Sequence, residues 1–278
     1  MQQQKKQLII NGITIHYYIQ NQEAAQAILF IHGNSLSSRS WDTQLISPLL
    51  AKYMLVTFDL PAHGESDGSM APETDYSLPG LATFVLAVQQ ALIGEKPYVL
   101  VGHSFGTSIL GEALGQGLKP VGVVLAGPLV FGDKLTLDQL ILPDTHVAVI
   151  FTDEANATDV EAYAHDVMYK PNTTSIVDFI IDYNQVKKGF RHYLNQSIQA
   201  TIFTDQIANL KQLNKPLLII FGDDERVVSQ NYLDTVFSSL WEKQIHKVPQ
   251  AGHLVNSDNP ETFNRLLADY TVDIISET

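Results

Sequence analysis

Three kinds of polar side chain, far apart in this sequence, have the types needed for covalent attack on a carbonyl. They are Ser104, His253 and one of the consecutive acids Asp223, Asp224 and Glu225. Ser104 stands in Gly102-His103-Ser104-Phe105-Gly106, directly after an apolar run at 98–101 and at the head of a stretch with helical pattern. A G-x-S-x-G between strand and helix folds as a tight turn that exposes the hydroxyl, and its glycines relieve the crowding of neighbouring backbone. The turn also puts the serine at a helix N-terminus, where aligned N–H groups favour developing negative charge. A serine hydroxyl is a weak nucleophile and needs a base with an orienting acid. His253, in Ala251-Gly252-His253, follows a short strand-like run at 244–248, and the three acids follow the apolar run at 217–221. Only one of those acids can face the imidazole. The chain order serine, acid, histidine is one that builds such a triad.

A tetrahedral oxyanion needs N–H donors aimed at it. His32-Gly33-Asn34 follows the apolar run Ala27–Ile31 and fits the loop that supplies one of them. The expected donors are the backbone N–H groups of Asn34 and Phe105. His63, in the polar loop 59–66, reads as a residue that ties its loop together by hydrogen bonds. His103, next to the nucleophile, is a candidate for substrate contact.

These groups require a frame. The runs Ala27–Ile31, Met54–Phe58, 98–101, 121–125 and 217–221 are rich in Val, Ile and Leu and do not alternate, as expected of strands covered on both faces in a mostly parallel sheet. Residues 8–19 alternate around Asn11-Gly12, a hairpin signal. Residues 77–93 carry Leu78, Leu81, Val85, Val88 and Leu92 at helical spacing, with Ser77 as N-cap and Gly94 as stop. After Ser104 the helix is glycine-heavy at Gly111, Gly115 and Gly117, which implies close packing on the sheet. From Gly127-Pro128 to about Asp205 helical pattern dominates. There Thr158-Asp159-Val160-Glu161 reads as a capping box that opens a helix with Val160, Tyr163, Ala164 and Val167 on one face. Strand–helix alternation predicts an α/β fold, with residues 1–128 and 206–278 as core and 129–205 as a helical cap.

Composition narrows the function further. Seventeen Lys and Arg against thirty Asp and Glu leave a net charge of −13, which disfavours nucleic acid and anionic membrane as partners. No cysteine is present, so a disulfide framework and a thiol nucleophile are excluded. The sequence starts MQQQKKQLII with no apolar h-region, and no apolar run is long enough to span a bilayer. A cytoplasmic monomer or homodimer is expected, with no cofactor and no metal.

Taken together, His32-Gly33-Asn34, Asp59 with His63-Gly64-Glu65-Ser66, the Ser104 pentapeptide, Gly222 with Glu225, and Ala251-Gly252-His253 resemble the α/β-hydrolase superfamily over nearly the whole chain. The resemblance implies that the acid stands three residues after the glycine closing its strand. That residue is Glu225, with Asp224 in reserve. A Glu there departs from the Asp of most members. A narrower similarity is to the α/β-hydrolase type of N-acyl-homoserine lactonase, through residues 31–35, Asp59-Leu60-Pro61, Asp159-Val160-Glu161 with Tyr163-Ala164, and Leu240-Trp241-Glu242. It implies that Tyr163 reaches from the cap toward the substrate carbonyl. It also implies an ester-type substrate, a lactone in the narrower case, cleaved through an acyl-enzyme. The elbow residues His103 and Phe105, Ala62, and residues 171–197 depart from the lactonase pattern. The other readings are a carboxylesterase of unknown substrate and a hydrolase-derived small-molecule receptor. Tyr163, Phe179, Tyr183, Phe190 and Tyr193 either line an acyl pocket or pack the cap on the core.

Overall fold

The structure, a computed structural model, describes residues 5–132, 135 and 137–276. The Gln-rich start at 1–4, and residues 133, 134 and 136 of the expected cap, lie outside them. Eight strands form one sheet: β1 (Lys5–Ile10), β2 (Ile13–Gln20), β3 (Ala27–Ile31), β4 (Met54–Phe58), β5 (Tyr98–His103), β6 (Gly122–Ala126), β7 (Leu217–Gly222) and β8 (His246–Val248). Their order is β1-β2-β4-β3-β5-β6-β7-β8. The β1–β2 and β2–β4 pairs are antiparallel and all other pairs are parallel. The hairpin turns at Asn11 and Gly12, with φ of 51° and 81°, as an Asn-Gly turn with two positive φ angles requires.

Every residue of β3 is buried, because side chains alternate between two cores. Leu29 and Ile31 enter one apolar cluster, and Ile28 and Phe30 the other. This is why these strands read as unbroken apolar runs.

Helices cover both faces. On the core they are α1 (Leu78–Leu92) and α2 (Phe105–Gly115). Ser77 caps α1 by accepting from the Gly80 N–H, and Gly94 leaves it at φ 61°. Between β6 and β7 the chain leaves the sheet and forms α3 (Ala157–Val167), α4 (Thr173–Gln185) and α5 (Phe190–Gln199), then returns through α6 (Gln206–Gln212). The C-terminal helix is α7 (Pro260–Ser276).

Two local expectations are corrected. The N-cap of α3 is Asn156, whose side chain accepts from the Asp159 N–H, and not Thr158. Asn156 precedes the first helical residue, whereas Thr158 already lies inside the helix, so its side chain cannot meet the orphan N–H groups. Gly111 and Gly115 of α2 face a helix and not the sheet. A Cβ at Gly111 would stand 2.6 Å from the Gln206 Cβ, and one at Gly115 would collide with Asn209, so it is α6 that packs closely there. Gly117 lies beyond the end of α2, at φ 101°.

Candidate active site

The elbow places Ser104 between β5 and α2 at φ 50°, ψ −122°, a backbone conformation that costs energy in any residue with a Cβ. Its neighbours make the turn possible. A Cβ on Gly102 would lie 2.8 Å from the Gly106 carbonyl oxygen, and a Cβ on Gly106 would lie 2.5 Å from that of Ile31. The Ser104 N–H donates to the Ala126 carbonyl at 2.9 Å, which ties the turn to the end of β6.

His253 and Glu225 come to Ser104 from the ends of β8 and β7. Ser104 Oγ lies 2.7 Å from His253 Nε2, and His253 Nδ1 lies 2.8 Å from Glu225 Oε2. The Glu225 side chain is fully buried. Its other oxygen accepts from the N–H groups of Val227 at 2.8 Å and Val228 at 3.2 Å, so the carboxylate has one orientation. Asp224, the reserve acid, turns outward instead and pairs with Arg226. An acid-bearing turn presents only one of its consecutive side chains inward, and here that is Glu225.

The loop after β3 packs against Ser104. A Cβ on Gly33 would stand 3.3 Å from Ser104 Cβ. Among the described residues no hydrogen bond is made by the backbone N–H of Asn34 or of Phe105. The Asn34 side chain is committed elsewhere, donating from Nδ2 to the Ile150 carbonyl at 2.9 Å. Loop 59–66 braces this loop from behind. His63 Nδ1 donates to the Pro61 carbonyl and His63 Nε2 accepts from the Ser35 N–H at 3.3 Å, so His63 links two loops. His32 does the same with Leu60, accepting its N–H at 3.0 Å.

His103 is not placed to meet a substrate. It is 1% exposed and lies beneath the elbow, with Nε2 donating to the backbone carbonyl of His253 at 2.9 Å. Burial, then the neighbouring His253, push it down to about 3, so it stays neutral. Its ring lies 5.1 Å from that of His253 and is enclosed with it, so His103 braces the imidazole loop and has no surface left for a substrate.

Tyr163 of α3 is 4% exposed and its ring meets Phe179 edge-on at 5.9 Å. Among the described residues its hydroxyl has no hydrogen-bond partner. Burial, reinforced by the Glu225 charge, raises its ionisation far above the ordinary phenol range, which keeps it a donor. The other aromatics divide. Phe190 packs on His63 and Tyr76, and Tyr183 donates to the Val149 carbonyl, so both are structural contacts. Phe179 lines a cavity of about 240 Å³ with Leu36, Arg39, Met168, Asp182 and Leu254. A larger cleft of about 760 Å³ lies at the opposite ends of the strands, by Pro97, Tyr98 and Val121, and contains none of these groups.

A family model described as the alpha/beta hydrolase family matches residues 28–266. The chain belongs to that family. This hydrolase is 25% identical over 275 residues to the uncharacterized hydrolase YugF of Bacillus subtilis, a match that covers 95% of this chain and 97% of the relative. It is also 25% identical over 268 residues to a non-heme chloroperoxidase of Streptomyces lividans, covering 91% and 94%. Among solved structures it resembles the N-acyl homoserine lactonase AidH complexed with N-butanoyl homoserine, with a TM-score of 0.88, 25% identity and coverage of 98% and 97%. An esterase from Exiguobacterium antarcticum shares the fold, with a TM-score of 0.74, 19% identity and coverage of 94% and 96%. Among this hydrolase's described residues no helix is long and apolar enough to cross a membrane, and no group of three or more His, Asp or Glu is placed to hold a metal ion.

Sequence reasoning missed Arg191, Ser35 and Asp258. Asp258 Oδ2 accepts from the N–H groups of both Gly252 and Tyr169, and so links the His253 loop to the end of α3. Arg191 sits in Phe190-Arg191-His192-Tyr193-Leu194, between two fully buried residues at helical spacing, and that position was the available signal.

Proposed function

We propose that this hydrolase opens the ring of N-acyl homoserine lactones through an acyl-enzyme on Ser104. The observation that carries the reading is the continuous relay Ser104 Oγ, His253, Glu225, with contacts of 2.7 and 2.8 Å beside two unengaged backbone donors. His253 Nε2 takes the Ser104 proton as Oγ attacks the carbonyl carbon. Glu225 holds the imidazole tautomer and stabilises the imidazolium. The N–H groups of Asn34 and Phe105 receive the oxyanion. Collapse expels the ring oxygen, which takes the proton from His253. Water then cleaves the acyl-enzyme by the same steps in reverse roles. A lactone keeps its leaving hydroxyl tethered, so one hydroxy acid is released.

Two observations favour a lactone within the ester class. One is the similarity to AidH across 98% of the chain. The other is Tyr163, a residue of the cap whose burial keeps its hydroxyl protonated, a donor suited to a carbonyl of the bound substrate. In this reading residues 129–205 act as a cap over the serine, and the 240 Å³ cavity beside Phe179 receives part of the acyl chain.

The test is proton release on a pH-stat with N-hexanoyl homoserine lactone and, separately, p-nitrophenyl butyrate. The expected result is one proton per lactone, lost in Ser104→Ala. Turnover of the ester with the lactone untouched would replace the lactonase reading with a carboxylesterase. Single-turnover behaviour toward both would favour a receptor.

A further inference from the structure

Arg191 is a buried cation that the mechanism above does not use. It projects from α5, is 5% exposed, and among the described residues has no carboxylate within 4 Å. Its Nε donates to Ser35 Oγ at 3.1 Å, one terminal nitrogen donates to the Tyr183 carbonyl at 2.6 Å, and the guanidinium lies 3.7 Å from the centre of the Tyr183 ring. Ser35 Oγ donates onward to Asn34 Oδ1 at 2.9 Å, and Asn34 Nδ2 donates to the Ile150 carbonyl at 2.9 Å. The hydrogen bonds therefore run in one direction, from the charge through Ser35 to Asn34, the residue assigned an oxyanion donor in the proposed function.

We propose that Arg191 is a positioning residue that holds the oxyanion loop, through Ser35, in the conformation that presents the Asn34 N–H to the developing oxyanion. The inference rests on the serine-hydrolase reading of Ser104 and is independent of whether the substrate is a lactone.

Backbone geometry explains why the loop needs holding. Ser35 has φ 61°, a left-handed conformation that persists in a residue with a Cβ only when several contacts impose it. Ser35 has three: its Oγ accepts from Arg191, the same oxygen donates to Asn34, and its N–H donates to His63 Nε2. The last contact requires a neutral His63. Burial holds His63 well below the ordinary imidazole range, and the charges of His32 and Arg191 act in the same direction. Gly33 passes so close to Ser104 that a small displacement of the loop would be felt at the nucleophile. A side chain needed only to pack α5 on the core would be apolar, like Phe190 and Leu194 beside it.

The test is steady-state hydrolysis of p-nitrophenyl butyrate by the full chain and by Arg191→Met, Arg191→Lys, Ser35→Ala and the double variant Arg191→Met/Ser35→Ala. It is paired with the rate at which a fluorophosphonate labels Ser104. Arg191→Met is expected to lower kcat about 100-fold with KM within about threefold, the signature of lost transition-state positioning. Ser35→Ala should lower kcat by at least as much, and the double variant should be no slower than the slower single variant, because both break one relay. Arg191→Lys should recover only part of the rate, since an ammonium lacks the planar fork. Multiplying losses, a rise in KM at unchanged kcat, or full kcat in folded Arg191→Met would overturn the proposal. Should Arg191→Met fail to fold, unaltered kcat in Ser35→Ala would overturn it equally. A wild-type chain inert toward esters and lactones would count against the proposed function. The labelling rate then decides the role of Arg191: slowed in the variants it supports positioning, unchanged it refutes it.

Discussion

Ser104, His253 and Glu225 stand at the ends of β5, β8 and β7 and form one continuous hydrogen-bonded chain, whereas Tyr163, Asp182 and Arg191 come from helices between β6 and β7. The first set is positioned by buried backbone. Its strained elbow is tolerated because two glycines admit close approach and β5, the strand that leads into it, is buried along its whole length. The second set depends on how the helical excursion is joined to the core, and two of its seams are unlike. At the end of α3 the join is backbone and neutral apart from one carboxylate: Leu254 N–H donates to the Val167 carbonyl at 2.9 Å, and Asp258 links Gly252 to Tyr169. At α4 the join is ionic. Arg39 pairs with Asp178 at 3.0 Å and with Asp182 at 3.2 Å, and Ser37 donates to Asp182. The difference teaches that the His253 loop is tied to one edge of the excursion by directional hydrogen bonds, while the other edge is held by charge.

The comparison is broken hardest at the triad. Glu225→Gln should lower kcat by about 10³–10⁴-fold with little change in melting temperature, while Asp224→Asn, one residue away and facing out, should stay within about twofold. Equal effects of the two substitutions in the ester assay would remove Glu225 from its role. Next comes the frame. Gly106→Ala puts a methyl 2.5 Å from the Ile31 carbonyl and should destabilise the fold by about 1–3 kcal/mol, read by urea denaturation. An unchanged midpoint would show that the elbow is not strained as described.

On the excursion side smaller effects are expected. Tyr163→Phe removes one hydroxyl and should cost about 10-fold in kcat/KM toward a lactone, the worth of one hydrogen bond. A variant with full activity leaves Tyr163 as packing only. The smallest effect concerns pH. Burial pushes the Asp182 carboxyl up to about 6 from 3.8, against the pull of Arg39 and Ser37. Between those values the folded chain holds a proton that the unfolded chain releases. The stability this group contributes is therefore present below the lower value and is lost as pH rises through the higher one. Asp182→Asn should remove that fall. Urea midpoints of both proteins near pH 4 and pH 7 would show it, and a difference that does not vary with pH would refute it.

Much of this arrangement is legible in the residues because it is local. Asn11-Gly12 encodes the hairpin, unbroken Val, Ile and Leu runs encode doubly covered strands, and the Ser104 pentapeptide encodes an elbow through the steric needs of two glycines. The misreadings share one cause. His103 and the glycines of α2 were assigned from what stands beside them in the chain, but their partners are His253, Gln206 and Asn209, which are remote in sequence. Thr158 failed for a smaller reason, since a cap is decided by where the first helical residue falls.

By itself the sequence determined the strands, the elbow, the candidate nucleophile and base, and an acidic chain ill-suited to phosphate backbones. Each of these follows from steric and charge properties carried within a few residues or summed over the chain. Only the tertiary structure decided which of the consecutive acids turns inward, that Asn34 is reached from Arg191 through Ser35, and that one seam of the excursion is ionic. Those outcomes depend on directions of side chains from 28 to 156 residues apart, and hydrogen bonds, unlike hydrophobic burial, depend steeply on direction.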